Sequence, residues 1–125
     1  MATESKAAAA EFIATLLMAA PLAHMLHLQT KSYAQHKALE ELYTELPELV
    51  DSLAEAYQGC YGLIEDYPMP DYSTPHRDGL SLVEALKDYV DTTRADVADE
   101  SQIQNLIDEI AGFLDGIAYK LKFLS

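Results

Sequence analysis

The sequence has no tryptophan, a single cysteine, and only 8 basic residues against 21 acidic ones. One cysteine excludes an intrachain disulfide and fits a reducing compartment. Cys60 is therefore expected to be a small buried hydrophobe. The shortage of bases leaves a formal net charge of -13, which repels phosphate and argues against direct binding of nucleic acid or an anionic membrane. Such a surface suits cations or a basic protein partner. Long apolar runs are also missing. The opening MATESKAAAAEFIATLLMAAPLAHM is interrupted by Glu4 and Glu11 and lacks a basic start, so neither a signal peptide nor a membrane span is expected. The expectation is a soluble, cytoplasmic chain. No strand-period segment, hairpin signal, internal repeat, GxSxG, CxxC, HExxH or phosphate-binding glycine loop occurs, which removes the usual hydrolase, redox and nucleotide chemistries.

What is present is helical periodicity. Half of the 125 residues are hydrophobic, enough for one domain, 1–125, with one modest core. Phe12, Ile13, Leu16, Leu17, Ala20, Ala23, His24 and His27 recur at three- and four-residue intervals and mark a first helix. It is capped by Thr3 or Ser5, with Pro21 inside it. Ser32 should cap a second helix from about Tyr33 to Gln58, ended by Gly59, with Leu39, Leu42, Leu46, Leu49, Val50, Leu53 and Tyr57 as its apolar stripe. Pro47 lies within that helix. The proline-rich GCYGLIEDYPMPDYSTPHRD admits no long helix and reads as an ordered crossover, with Tyr61, Leu63, Ile64, Tyr67, Met69 and Tyr72 lying on the bundle. A third helix spans about Leu80 to Ala95. A fourth carries Ile103, Ile107, Ile110, Leu114, Ile117 and Leu121, with Lys120 and Lys122 at its negative end. The fold class expected is all-α: a four-helix bundle of ferritin-like topology with a long crossover between helices 2 and 3.

The chemistry-bearing residues gather between His24 and Glu55. Three of the four histidines lie here, followed by Asp51 and Glu55 one helical turn apart. Imidazole and carboxylate together suit iron, zinc or manganese. On a helical wheel with His36 at zero, Glu40 falls near 40°, Asp51 near 60° and Glu55 near 100°, while the apolar stripe centres near 280°. Asp51 and Glu55 thus point away from their own core, towards solvent or a second subunit. His76, beside Arg77, reads as a surface residue, and Asp108 and Asp115 as exposed acids.

The text HLQTKSYAQH, then LYTEL, then DSLAE resembles the HWNxxGxxFxxLH and DxIAER signature of the Dps proteins, the ferritin-like miniferritins. That resemblance implies a metal site in which His27 or His24, with His36, from one subunit meets Asp51 and Glu55 from another. It further implies a homodimer or larger homo-oligomer and a ferroxidase-type activity. Iron is the implied metal, with zinc or manganese as alternatives. Leu28 stands where the family has tryptophan, and Ala56 where it has arginine; without a lysine-rich tail, the family's DNA binding is not carried over. The whole chain, through YKLKFL, is similar to short ferritin-like proteins encoded by tailed phages, implying a place in the host cytoplasm or in the virion. The competing expectation is a non-catalytic helical module that binds a host or virion protein through its acidic faces and tyrosine-rich loop.

Overall fold

In a computed structural model that describes residues 2–71 and 76–125, with side chains from Lys6 onward, the chain forms helices and no strand among the described residues. These are α1 (Ala2–Gln29), α2 (Tyr33–Tyr61), α3 (Gly79–Thr93) and α4 (Ser101–Phe123), with a 3₁₀ turn over Arg94–Asp96 where α3 was expected to continue. Helix α1 packs on α2, α2 on α4, α4 on α3, and α3 back on α1. Thr3 and Ser5, expected as caps, fall inside α1 because the helix already begins at Ala2, while Tyr72 lies outside the described residues.

Each helix buries the stripe its periodicity marks out. Phe12, Ile13, Leu16, Ala19 and Ala23 of α1 face Leu39, Leu42, Leu46, Val50 and Leu53 of α2 in one core, with Ile103, Ile107, Ile110, Leu114 and Ile117 of α4. Fully burying one such side chain stabilises by about 1.5–3 kcal/mol. The alanines let α1 lie close to its neighbours. Pro21 and Pro47 both sit inside unbroken helices.

Ser32 caps α2 as expected, its hydroxyl accepting from the Gln35 N–H at 3.2 Å. The far end differs: α2 runs through Gly59 to Tyr61 and stops at Gly62, whose φ is +97° and whose N–H donates to the Gln58 carbonyl. A glycine does not end a helix unless the backbone turns out of the helical region there, and Gly62 is the one that turns. The three extra residues include Cys60, whose thiol is exposed rather than buried.

Three contacts fix the helix directions. Tyr61 donates to Glu100, joining the end of α2 to the start of α4. Lys120 pairs with Glu41, bringing the end of α4 to the start of α2. Gly79 sits so close to Leu39 that a Cβ there would lie 2.8 Å from Leu39 Cδ2, which places the start of α3 beside the start of α2. Helices α2 and α3 are therefore parallel, with the end of α2 at Tyr61 and the start of α3 at Gly79 at opposite ends of the bundle. Ile64 anchors this crossover in the core, and its N–H donates to Gln58 Oε1 at 2.9 Å.

Three further expectations meet the structure. Over Lys6–Gln29, α1 is long and apolar enough to cross a membrane, although its inner stripe is spent on the bundle core. Asp108 and Asp115 are exposed but not idle. Arg94 pairs with Asp108 at 2.5 Å and Lys87 with Asp115 at 3.3 Å, tying α3 and the turn after it to α4. His76 is half-buried, its Nδ1 3.5 Å from the Ser81 hydroxyl.

Candidate metal site

The α1–α2 connection is only three residues long, so the last turn of α1 lies against the first turns of α2. His27, at the core-facing side of α1, is 6% exposed. His36 follows it across the hairpin, half-buried. The two imidazoles stack with centroids 3.6 Å apart and planes 18° from parallel.

Their hydrogen bonds are reciprocal. His27 Nδ1 lies 2.6 Å from the carbonyl oxygen of His36, and His36 Nδ1 lies 2.8 Å from the carbonyl oxygen of His27. A carbonyl oxygen only accepts, so each Nδ1 carries the proton. In the neutral ring each Nε2 then keeps its lone pair. This is how a ligating histidine is usually oriented, with one nitrogen held by a backbone carbonyl and the other left for a metal.

Glu40 completes the group. It stands one turn after His36 on α2, half-buried, and one ligand atom from each of His27, His36 and Glu40 falls within 4.8 Å of the others. Lys37 Nζ holds Glu40 Oε1 at 3.3 Å. Ligand atoms around a tetrahedral zinc lie about 3.4 Å apart, given bonds near 2.05 Å. A bound metal would therefore draw the three ligand atoms together and splay the stacked imidazoles, with Glu40 having the freest stem of the three.

His24 is placed beside this group rather than in it. Its exposed ring stacks on Tyr43 with centroids 4.0 Å apart and planes 7° from parallel, and its centroid is 5.7 Å from that of His27. Tyr43 also meets His27 edge-on at 5.2 Å. Tyr33, at the start of α2, is 75% exposed.

Asp51 and Glu55 are elsewhere. Fifteen residues of helix separate His36 from Asp51, about 22 Å at 1.5 Å per residue. Both acids are exposed, as the wheel requires. The hydrogen bond between them and the charge on Asp51 hold the Glu55 carboxyl above the usual carboxylate range. One chain cannot bring this pair to its own histidines.

Residues 27–121 match the model of a family of unknown function (DUF5856). The chain belongs to this family. The DUF5856 chain is also 32% identical, over 114 residues, to an uncharacterised 14.6 kDa protein in the mobD-ri intergenic region of Enterobacteria phage T4, covering 91% of this chain and 84% of that one. No solved structure matches it. A phage relative agrees with the phage-type resemblance in the sequence, whereas membership of the Dps family receives no support. The family match begins at His27 and takes in His36, Glu40, Asp51 and Glu55.

Glu40 is the residue that sequence reasoning missed in this DUF5856 chain. The signal was present: His36-x-x-x-Glu40 has the same one-turn spacing that drew notice to Asp51 and Glu55. In the sequence Glu40 lies among Glu41, Glu45 and Glu48, and one solvated acid in such a run looks like another.

Proposed function

We propose that this phage-type protein binds a divalent transition metal, with His27, His36 and Glu40 as its ligands. The observation that carries the reading is the reciprocal pair of Nδ1–carbonyl hydrogen bonds, which leaves both Nε2 lone pairs uncommitted, in a group that also brings a Glu40 carboxylate oxygen within 4.8 Å of a ring nitrogen of each histidine. Two imidazoles and one carboxylate suit Fe(II), Zn(II) or Mn(II), and three protein ligands leave positions open for water, substrate or a further ligand. An acidic surface concentrates such cations. The run of the helices, with a single long crossover between α2 and α3, is the connectivity of ferritin-like folds and supports a ferritin-like topology. Asp51 and Glu55 join this site only from a second copy of the chain. With Fe(II) bound, the open positions are where a ferroxidase-type reaction would take place.

The test is calorimetric titration of chelator-stripped protein with Zn(II). One ion per chain is expected, with affinity reduced at least tenfold in His36→Ala and in Glu40→Gln. Equal affinity in the parent and both variants would remove these ligands.

A second reading, a helical module that docks on a host or virion protein, is favoured by Met69. It is 82% exposed between Pro68 and Pro70 on the crossover, and prolines hold such a segment extended for recognition. If metal binding is absent and Met69→Asp abolishes a phage-infection phenotype without unfolding the chain, this second reading replaces the first.

A further inference from the structure

A groove of about 690 Å³ runs between the first half of α1 and the crossover. The chain path creates it: Ile64 is buried in the core, and the crossover residues that follow lie along α1. Ala7 and Ala10 leave the α1 side low, and Pro68, Met69 and Pro70 form the opposite wall. Each proline holds its φ near -65°, so that wall is shaped before anything meets it. From Thr15, at the inner end of the groove, α1 runs about 18 Å further before it reaches His27. Groove and metal group are separate places.

The charge in the groove is of one sign. Glu11 and Asp66 line it, both exposed, and no lysine or arginine does. Neither acid takes part in an ion pair among the described residues. Lys6 precedes them on α1, but its amine lies beside Gly62, where a Cβ would meet Nζ at 3.3 Å. The grooves between α2 and α4 and between α3 and α4 differ. Lys37 and Lys120 in the first, and Lys87 and Arg94 in the second, are already paired with acids.

We infer that the α1–crossover groove receives a basic, extended segment of another protein, with an arginine or lysine held by Glu11 and Asp66 and an apolar neighbour over Met69. This partner gives a chemistry to the docking reading drawn from Met69, on which it rests. Charge complementarity selects a cation, because the two carboxylates have no base of their own. The alanine and proline walls suit the methylene stem of a long basic side chain, which carries its charge at the tip. A free polyamine would answer the acids yet leave Met69 uncovered, and that side chain is 82% exposed. A peptide brings a second side chain to cover it. The preshaped wall lowers the ordering cost of binding.

The experiment is fluorescence anisotropy of a labelled peptide repeating Arg-Leu-Gly three times, titrated with the full chain under chelator. Physiological ionic strength screens long-range attraction to the net charge of -13. The parent should bind this peptide and ignore an Asp-Leu-Gly repeat. Glu11→Lys/Asp66→Lys should weaken binding roughly tenfold, whereas Glu84→Lys/Asp88→Lys, the same charge change on α3, should alter it by less than about twofold. Met69→Ser should weaken it about fivefold with no change of charge. Glu11, Asp66 and Met69 are exposed, so helical circular dichroism should be unchanged in each variant. A parent that does not bind, equal losses from the two charge reversals, or displacement of the peptide by spermidine at equal concentration would each overturn the inference. Those failures leave the docking reading standing, because an infection phenotype untouched by Met69→Asp is what removes it.

Discussion

Tyr57 is fully buried, and its hydroxyl is the buried side-chain polar atom without a hydrogen-bond partner among the described residues. Burial, with smaller contributions from Cys60 and Glu100, keeps the phenol above its ordinary range, so it stays a neutral, unsatisfied donor at working pH. Leaving such a group dry costs about 1–3 kcal/mol. Tyr57→Phe removes that cost and keeps the ring, whose centroid stacks 4.7 Å from that of Tyr61. The void left by the oxygen is at most about 15 Å³, which at roughly 24 cal/mol per Å³ subtracts only about 0.4 kcal/mol. The substitution should therefore stabilise the protein by about 1–2 kcal/mol. For a chain of 125 residues the unfolding entropy is about 0.26 kcal/mol per degree, so Tm should rise by roughly 4–8 °C. Urea unfolding followed by circular dichroism measures this directly, as a higher midpoint with an unchanged slope. Tyr57→Ala, which also removes the ring, should instead lose about 3–5 kcal/mol. If Tyr57→Phe lowers the unfolding free energy by about 1 kcal/mol or more, the hydroxyl has a partner and the packing at the end of α2 is misassigned.

Other outcomes follow from the same end of the bundle and from the acid pair. The Tyr61 hydroxyl donates to Glu100, which pushes the tyrosine up to about 12 and holds Glu100 below the usual carboxylate range. The tyrosine's contribution to stability is thus full below about pH 10, its unfolded value, and is lost as pH rises towards 12. The Glu100 contribution is present above the ordinary carboxylate pKa and is lost as pH falls through its lowered one. Tyr61→Phe should flatten the alkaline arm of a pH–stability profile. Asp51→Asn should return Glu55 towards the ordinary range by removing the charge that raises it, a change visible in side-chain carboxyl NMR titration. Gly62 has φ +97° and ψ 166°, a region nearly restricted to glycine, so Gly62→Ala should cost about 1–3 kcal/mol in urea unfolding.

The helices were legible because their stripes are strong: Leu39, Leu42, Leu46, Val50 and Leu53 recur at helical spacing and all are buried. Ser32 was legible as a cap because a hydroxyl before an apolar run has a specific donor to satisfy. The end of α2 was not. Gly59 and Gly62 are equivalent as letters, and which one leaves the helix depends on where Ile64 must reach the core. The exposure of Cys60 follows from that shift. At the candidate site, the sequence put His27 and His36 at the edge of the apolar stripe, and the structure stacks them across the α1–α2 hairpin. The sequence could not show that their Nδ1 atoms hold each other's carbonyls, which depends on the separation and rotation of α1 and α2. Asp51 and Glu55 stand out in the sequence by their isolation, whereas Glu40 is hidden in its run of acids.

The central claim concerns which atoms hold the metal, and X-ray absorption at the metal edge reads those atoms directly. Protein loaded with one equivalent of Zn(II) should show two imidazole nitrogens at about 2.0–2.1 Å with the remaining positions filled by oxygen. In His36→Ala one imidazole should disappear from that shell, while Asp51→Asn/Glu55→Gln under chelator-controlled loading should leave both in place. A shell of oxygens alone, or two imidazoles that persist in His36→Ala, would contradict a site built on His27, His36 and Glu40.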